Sequence, residues 1–252
     1  MTITEQLKSL LPEIYLDENG YEYCIQPENG LTEEEISSIS RRLPTGQLPA
    51  DIKELLRFTR GFEFNAVIEI TFDGIGQFGF ENLFPHSVQL AHDGLGNFWI
   101  LDINSKGQWG KVFYVSHDPA VVVVHSHSLS QFLEHIDEYG KFPVQSNLYH
   151  IHEKTVFDVW RVHQGFMVLE DARHTDDQAL SNFALSLPDN YLIADLRHKP
   201  AGAGFAWGRH NPELDGTVKC PDELIWGIPR KSGQNFFTKL FRRSGDKTIK
   251  LV

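Results

Sequence analysis

The feature that most constrains this chain is a change in the spacing of its apolar residues, from a helical period before residue 60 to a period of two after residue 65. Leu7, Leu10, Leu11 and Ile14 fall on one side of a short helix over 4–15, with Thr4 as its expected cap. A Thr-x-x-Glu box, Thr32 with Glu35, precedes Ile36, Ile39 and Leu43, so a second helix starts here and Pro44 ends it. In "LPADIKELLRFTRGFEF", Pro49 and Asp51 suit a first turn, and Ile52, Leu55, Leu56 and Thr59 make one face. Gly61 is expected to supply the left-handed residue past the end. From Ala66, "AVIEITF", "SVQLAHD", "NFWILDI", "KVFYVSH" and "AVVVVHS" are strand-length runs divided by Gly, Pro, Asn or Asp. Connections this short favour antiparallel neighbours, because a parallel crossover needs about a dozen residues. Ser128 with Gln131 reads as another capping box, before the apolar face of Leu129, Phe132, Leu133 and Ile136. The order predicts an α+β fold, an antiparallel sheet with flanking helices.

Gly140 and Pro143 in "GKFPVQSN" mark an expected boundary between an acidic domain at 1–145 and a smaller C-terminal domain at 146–252. In the latter, "TVFDVWRV", "GFMVLED" and "NYLIADL" read as strands and "DDQALSNFALSL" as a helix, an α/β-containing domain of unassigned fold. Residues 197–235 are rich in Gly, Pro, His and Trp and give no clear period. The tail from Arg230 carries seven bases and one acid, with Phe236, Phe237, Leu240 and Phe241 interleaved. It fits either a surface-binding element or a stripe docked on its own core.

Charge separates the two halves. The net formal charge of the 252 residues is −11, yet residues 1–145 hold 21 acids and 9 bases. So acidic a surface repels nucleic acid and draws a basic partner, raising encounter rate more than affinity. The longest strongly apolar run, Ala120 to Val124, is far short of a membrane span. The amino terminus lacks the basic-then-apolar pattern of a secretory signal, and two cysteines, Cys24 and Cys220, build no disulfide framework. Cytoplasmic residence is the expectation.

Several short motifs invite a chemical reading. Gly74-Ile75-Gly76-Gln77-Phe78-Gly79 spells G-x-G-x-x-G, but "GFENLFP" puts a proline where a dinucleotide site needs a helix, so these are turn glycines. In "LAHDGLGNFWILDI", Asp93 and Asn97 offer two oxygens where a calcium loop needs more, and residue 95 is leucine. Asp93-Gly94-Leu95-Gly96-Asn97 therefore reads as a hairpin turn, with Gly94 and Gly96 serving backbone geometry. His125 with His127, and His150 with His152, would share a face of an extended segment and could hold zinc if a further ligand converged. "GRHNPELDG" lacks the partner histidines of a His-Asn nuclease element, and no G-x-S-x-G elbow occurs. No cofactor, metal ligand set or catalytic residue is assigned.

Taken in order, "LTEEEISSISRRL", "LPADIKELLRFTRG", "LAHDGLGNFWILDI", "GKVFYVSHD" and "SLSQFLEHI" resemble the SUKH superfamily of fungal cell-wall assembly regulators and bacterial toxin-immunity proteins. Thr59-Arg60-Gly61 stands where the family often has "NGG". The resemblance covers about the first 140 residues and implies a non-enzymatic protein-binding fold. It points first to an immunity protein that occludes a toxin, with a basic toxin domain as partner. A regulatory adaptor of the cell-wall type is the alternative, and a metal-dependent enzyme using His and carboxylates of the C-terminal half is a third. Charge and expected exposure single out Glu33, Glu34, Asp51, Glu54 and Glu63 as candidate partner-binding residues, while Gly61, Gly94 and Gly96 are assigned to turns.

Overall fold

The computed structural model describes residues 1–64, 68–76, 78–162 and 165–230. The basic, aromatic stretch at 231–252 lies outside the described residues. The chain opens with helix α1 (Ile3–Leu10), short strands β1 (Tyr15–Leu16), β2 (Glu22–Tyr23) and β3 (Gln26–Pro27), then helices α2 (Glu33–Arg41) and α3 (Ala50–Phe58). Strands β4 (Gly61–Phe64), β5 (Ile68–Thr71), β6 (Ser87–His92), β7 (Phe98–Ile103), β8 (Trp109–His117) and β9 (Ala120–Ser126) lead to helix α4 (Leu129–Lys141). The rest comprises α5 (Asn147–His150), a π-turn at Ile151–Thr155, α6 (Val156–Arg161), β10 (Met167–Val168), α7 (Leu169–Arg173), α8 (Gln178–Leu185), β11 (Tyr191–Asp195), β12 (Gly204–Phe205), β13 (Val218–Lys219) and β14 (Ile225–Pro229). All strand pairs are antiparallel, and helices flank the sheets, so the fold is α+β.

The capping box at Thr32 forms as the sequence requires: its Oγ1 accepts from the Glu35 amide and Glu35 accepts from the Thr32 amide. At α1 the cap is Thr2, not Thr4. Thr2 and Glu5 make the reciprocal pair, Thr4 is buried, and the helix stops before Ile14, which is exposed. Ser128 caps α4 through the Gln131 amide, but the Gln131 side chain accepts from His127 instead of closing a box.

Gly61 is a second correction. It has no positive φ and lies in β4, opposite Thr71. A Cβ there would meet the Ile70 carbonyl oxygen at 2.0 Å, so close backbone approach, not a left-handed turn, demands glycine. Gly94 and Gly96, with φ of 75° and 87°, are the turn glycines expected.

The five-stranded sheet, in order β12-β9-β8-β7-β6, is buried on both faces. Trp99, Leu101, Val112, Tyr114, Val121 and Val123 face α1–α4 with Leu7, Ile52, Leu55 and Phe132. Ile100, Phe113, Val115, Val122 and Val124 face the other way and pack with Ala194, Phe205, Trp226 and Ile228. Double burial explains why the strands read as nearly continuous apolar runs instead of clean alternation. Trp226 anchors the second face, its Nε1 donating to the Leu83 carbonyl at 2.6 Å among the rings of Phe84, Phe113 and Phe205.

The segment "TVFDVWRV" is helical, contrary to the strand expectation. Val156 and Val159 are buried three residues apart while Phe157 and Asp158 between them are exposed, a helical pattern that short windows confuse with a strand. "GFMVLED" yields only the two-residue β10 before α7, whereas "NYLIADL" gives β11 and Asp177 caps α8 as an accepting N-cap. Elements from beyond residue 145 join the first half directly: β12 pairs with β9, and Leu148, Ile151, Val156, Val159 and Ala206 pack into the core under α1–α4.

Candidate binding surface

The Asp93 turn joins β6 to β7, and its side-chain oxygens are taken up by donors in the turn and in β8. Asp93 Oδ1 accepts from the amides of Leu95 and Asn97, and Oδ2 accepts from Asn97 Nδ2 at 2.6 Å and the Tyr114 hydroxyl at 3.1 Å. Burial alone would raise the Asp93 carboxyl, but these donors outweigh it and hold its pKa below the ordinary range. Asn97 Oδ1 in turn accepts from the His117 amide. The loop is a self-satisfied Asx-type turn that fixes the β6–β7 hairpin against β8.

The five acidic residues singled out from charge do not form one patch. Glu33, at the start of α2, is gripped by Arg57 of α3 through Nε at 2.5 Å and Nη2 at 3.2 Å. That hydrogen bond lowers the Glu33 carboxyl and raises the Arg57 guanidinium, on which Glu54 also acts. Glu34 and Asp51 are exposed on the same helix pair, and Asp51 accepts from the Ile52 amide. Glu63 sits apart on β4, exposed, directly across from Glu69 of β5 and Gln26 of β3. Four of the five thus share the α2–α3 surface, where Lys53 and Arg57 dilute their charge.

The histidine pairs separate as well. His125 is wholly buried, and its Nδ1 meets Ser126 Oγ at 2.7 Å, which meets His135 Nδ1 at 2.9 Å. His127, two residues on, is exposed. His150 and His152 lie at the α5 end and in the π-turn rather than on a strand. His152 approaches Glu153 at 2.8 Å and Asp93 at 3.5 Å. Among the described residues no three His, Cys, Asp or Glu side chains are grouped to hold a metal ion.

Two ionic features escaped the sequence reading. Arg197 bridges Asp177 at 2.5 Å and Asp195 at 2.7 Å, fastening the cap of α8 to the end of β11. Asp102 of β7 and Lys219 of β13 approach to 3.3 Å with both side chains buried, tying the two larger sheets together. Burial pushes the Asp102 carboxyl up, against the pull of Lys219. The available signal was an aspartate inside "NFWILDI", at a position whose alternation points to the second face of the sheet.

The site surroundings thus comprise an antiparallel sheet under N-terminal helices, a hydrogen-bonded Asx-type turn and helices that display charged residues to solvent. Residues 30–135 match the model of the SMI1 / KNR4 family (SUKH-1), and this stretch is a SUKH domain. Domains of this family are generally non-catalytic and mediate protein–protein interactions. No curated protein and no solved structure matches the chain. No helix among the described residues is long and apolar enough to cross a membrane.

Proposed function

We propose that this protein is an immunity protein that neutralises a toxin by binding and occluding it. The observation that carries the reading is a SUKH domain set in a half with 21 acids and 9 bases, whose α2–α3 surface displays Glu33, Glu34, Asp51 and Glu54 to solvent. Such a surface favours a basic partner and speeds the encounter. Glu63 belongs to the same acidic half, though to a different face.

The test is a tagged pull-down at moderate and high salt, read by mass spectrometry. It is followed by expression of any captured protein with and without this chain. One basic protein, lost at high salt and lethal only when expressed alone, is the expected result. Capture of several housekeeping proteins, with no toxicity to suppress, would replace immunity by a regulatory adaptor role.

A further inference from the structure

Ile14, Leu16, Tyr21, Phe142 and Val144 are 65%, 58%, 72%, 59% and 65% exposed, an unusual loss for large apolar side chains. They gather at one end of the molecule. Tyr15 packs against the backbone of Gly140, where an added Cβ would lie 2.3 Å from the Tyr15 ring. The Tyr15 hydroxyl donates to Asp137 at 2.9 Å, and Lys141 reaches Glu13 at 3.2 Å. These contacts hold the β1–β2 hairpin against the end of α4. Ile14 and Leu16 flank the inward-facing Tyr15 and so share the hairpin's outer side, with Glu22 directly opposite Leu16. Phe142 and Val144 follow Lys141 at the same corner. Exposed apolar side chains of this size brought together at one corner mark an interaction site more often than chance exposure does.

The surrounding charge is one-sided. Residues 13–22 contain Glu13, Asp17, Glu18 and Glu22 and no base, while 134–144 contain Glu134, Asp137 and Glu138 against Lys141 alone. Lys141 is itself engaged by both Glu13 and Asp137. Glu18, Glu22 and Glu134 remain beside exposed apolar side chains after Asp17, Asp137 and Glu138 are taken by internal hydrogen bonds, and the complement of such a corner carries large apolar side chains among lysines or arginines. On α2–α3, by contrast, Lys53 and Arg57 stand among the acids and the large apolar residues Ile36, Ile52, Leu55 and Leu56 are buried. The exposed face also draws on segments outside 30–135, so the matched family segment does not by itself supply it.

Resting on the protein-binding reading above, we infer that the partner contacts this β1–β2/α4 corner, and that it does so with a basic segment bearing large apolar anchors. The test uses the full chain and three short labelled peptides, read by fluorescence anisotropy at low and high salt. One peptide carries Lys with Phe and Leu, one Glu with Phe and Leu, and one Lys with Ser in place of the apolar residues. The Lys/Phe/Leu peptide is expected to bind at least about tenfold tighter than either other peptide. Leu16→Ser combined with Val144→Ser, and separately Glu18→Lys with Glu22→Lys, should each weaken it about tenfold. Circular dichroism checks that these exposed substitutions leave the fold intact. Binding lost in Glu33→Lys/Glu54→Lys and kept in the corner variants would overturn this location while leaving the protein-binding reading standing. No discrimination among the peptides would overturn the inference itself. Binding that appears only after removal of 231–252 would make the chain's own terminal segment the occupant. A dimer in sedimentation that Leu16→Ser dissolves would make it a second copy.

Discussion

The two faces of the five-stranded sheet are covered in different ways. The first is covered by α1 to α4, helices that directly precede and follow the strands in sequence. The second is covered by Phe78, Leu83 and Phe84 together with residues from far along the chain, Ala194, Phe205, Trp207, Leu214, Trp226 and Ile228. Residues 30–135 carry the family match and hold all the strands of this sheet except β12, and of that second cover they supply Phe78, Leu83 and Phe84 from the β5–β6 connection. Ile100, Phe113, Val115, Val122 and Val124 are fully buried in a cluster to which the C-terminal half contributes Ala194, Leu196, Phe205, Trp207, Leu214, Trp226 and Ile228. A SUKH sheet built this way has its second face occupied by its own chain.

The sharpest break of that comparison is removal of the cover. A fragment ending at residue 145 should lose cooperative unfolding and bind a hydrophobic dye. It would expose those five side chains, each worth about 1.5–3 kcal/mol when buried, and also take Leu148, Ile151, Val156 and Val159 from the first-face core, while stabilities of whole domains are only ~5–15 kcal/mol. A fragment that melts sharply with native near-ultraviolet dichroism would show that the first face alone sustains the fold.

Much of the first face was legible because its signals are local. Thr32 and Glu35 announce α2 within four residues, and Ile52, Leu55 and Leu56 fix the buried side of α3. The second face was not, because its pattern depends on partners a hundred residues away. Val121 to Val124 form one unbroken run that cannot say which valines look toward which layer. β14, "IWGIP", buried at every position, carries no alternation at all. The surface was half legible: the acids were placed outside correctly, but not Arg57 between Glu33 and Glu54. Ile14 stands at helical spacing from Leu11 and so falls on the expected helix face, yet α1 ends at Leu10, and nothing in that spacing signals the exposed corner.

The buried pair between the sheets gives a smaller and more specific test. Lys219→Met leaves the Asp102 carboxylate buried without its cation, which should cost about 3–5 kcal/mol in urea unfolding. Adding Asp102→Leu removes the stranded charge and should recover most of that loss. A single variant costing less than about 1 kcal/mol would mean that the pair does not bind the second face to the sheet. Equal losses in the single and double variants would point to packing, not charge.

The first face has its own buried polar group, and it responds to acid with the opposite sign. Burial depresses His125 to about 3, from an ordinary histidine value near 6.5, and the neighbouring His135 is lowered by burial too. Between those two pH values the unfolded chain binds a proton that folded His125 refuses, so stability falls as pH drops from 6.5 toward 3. For one proton the slope is about 1.4 kcal/mol per pH unit. Asp102 runs the other way. Its carboxyl is raised in the folded protein, so acid relieves part of the cost of burying it. Urea midpoints taken from pH 7 to pH 4.5 should therefore decline in the wild type and decline less in His125→Phe, whose ring keeps the contact with Phe132. The decline should persist in Asp102→Leu/Lys219→Met. If His125→Phe leaves the slope unchanged, the acid sensitivity does not rest on His125, and His135 or the surface carboxylates become its source.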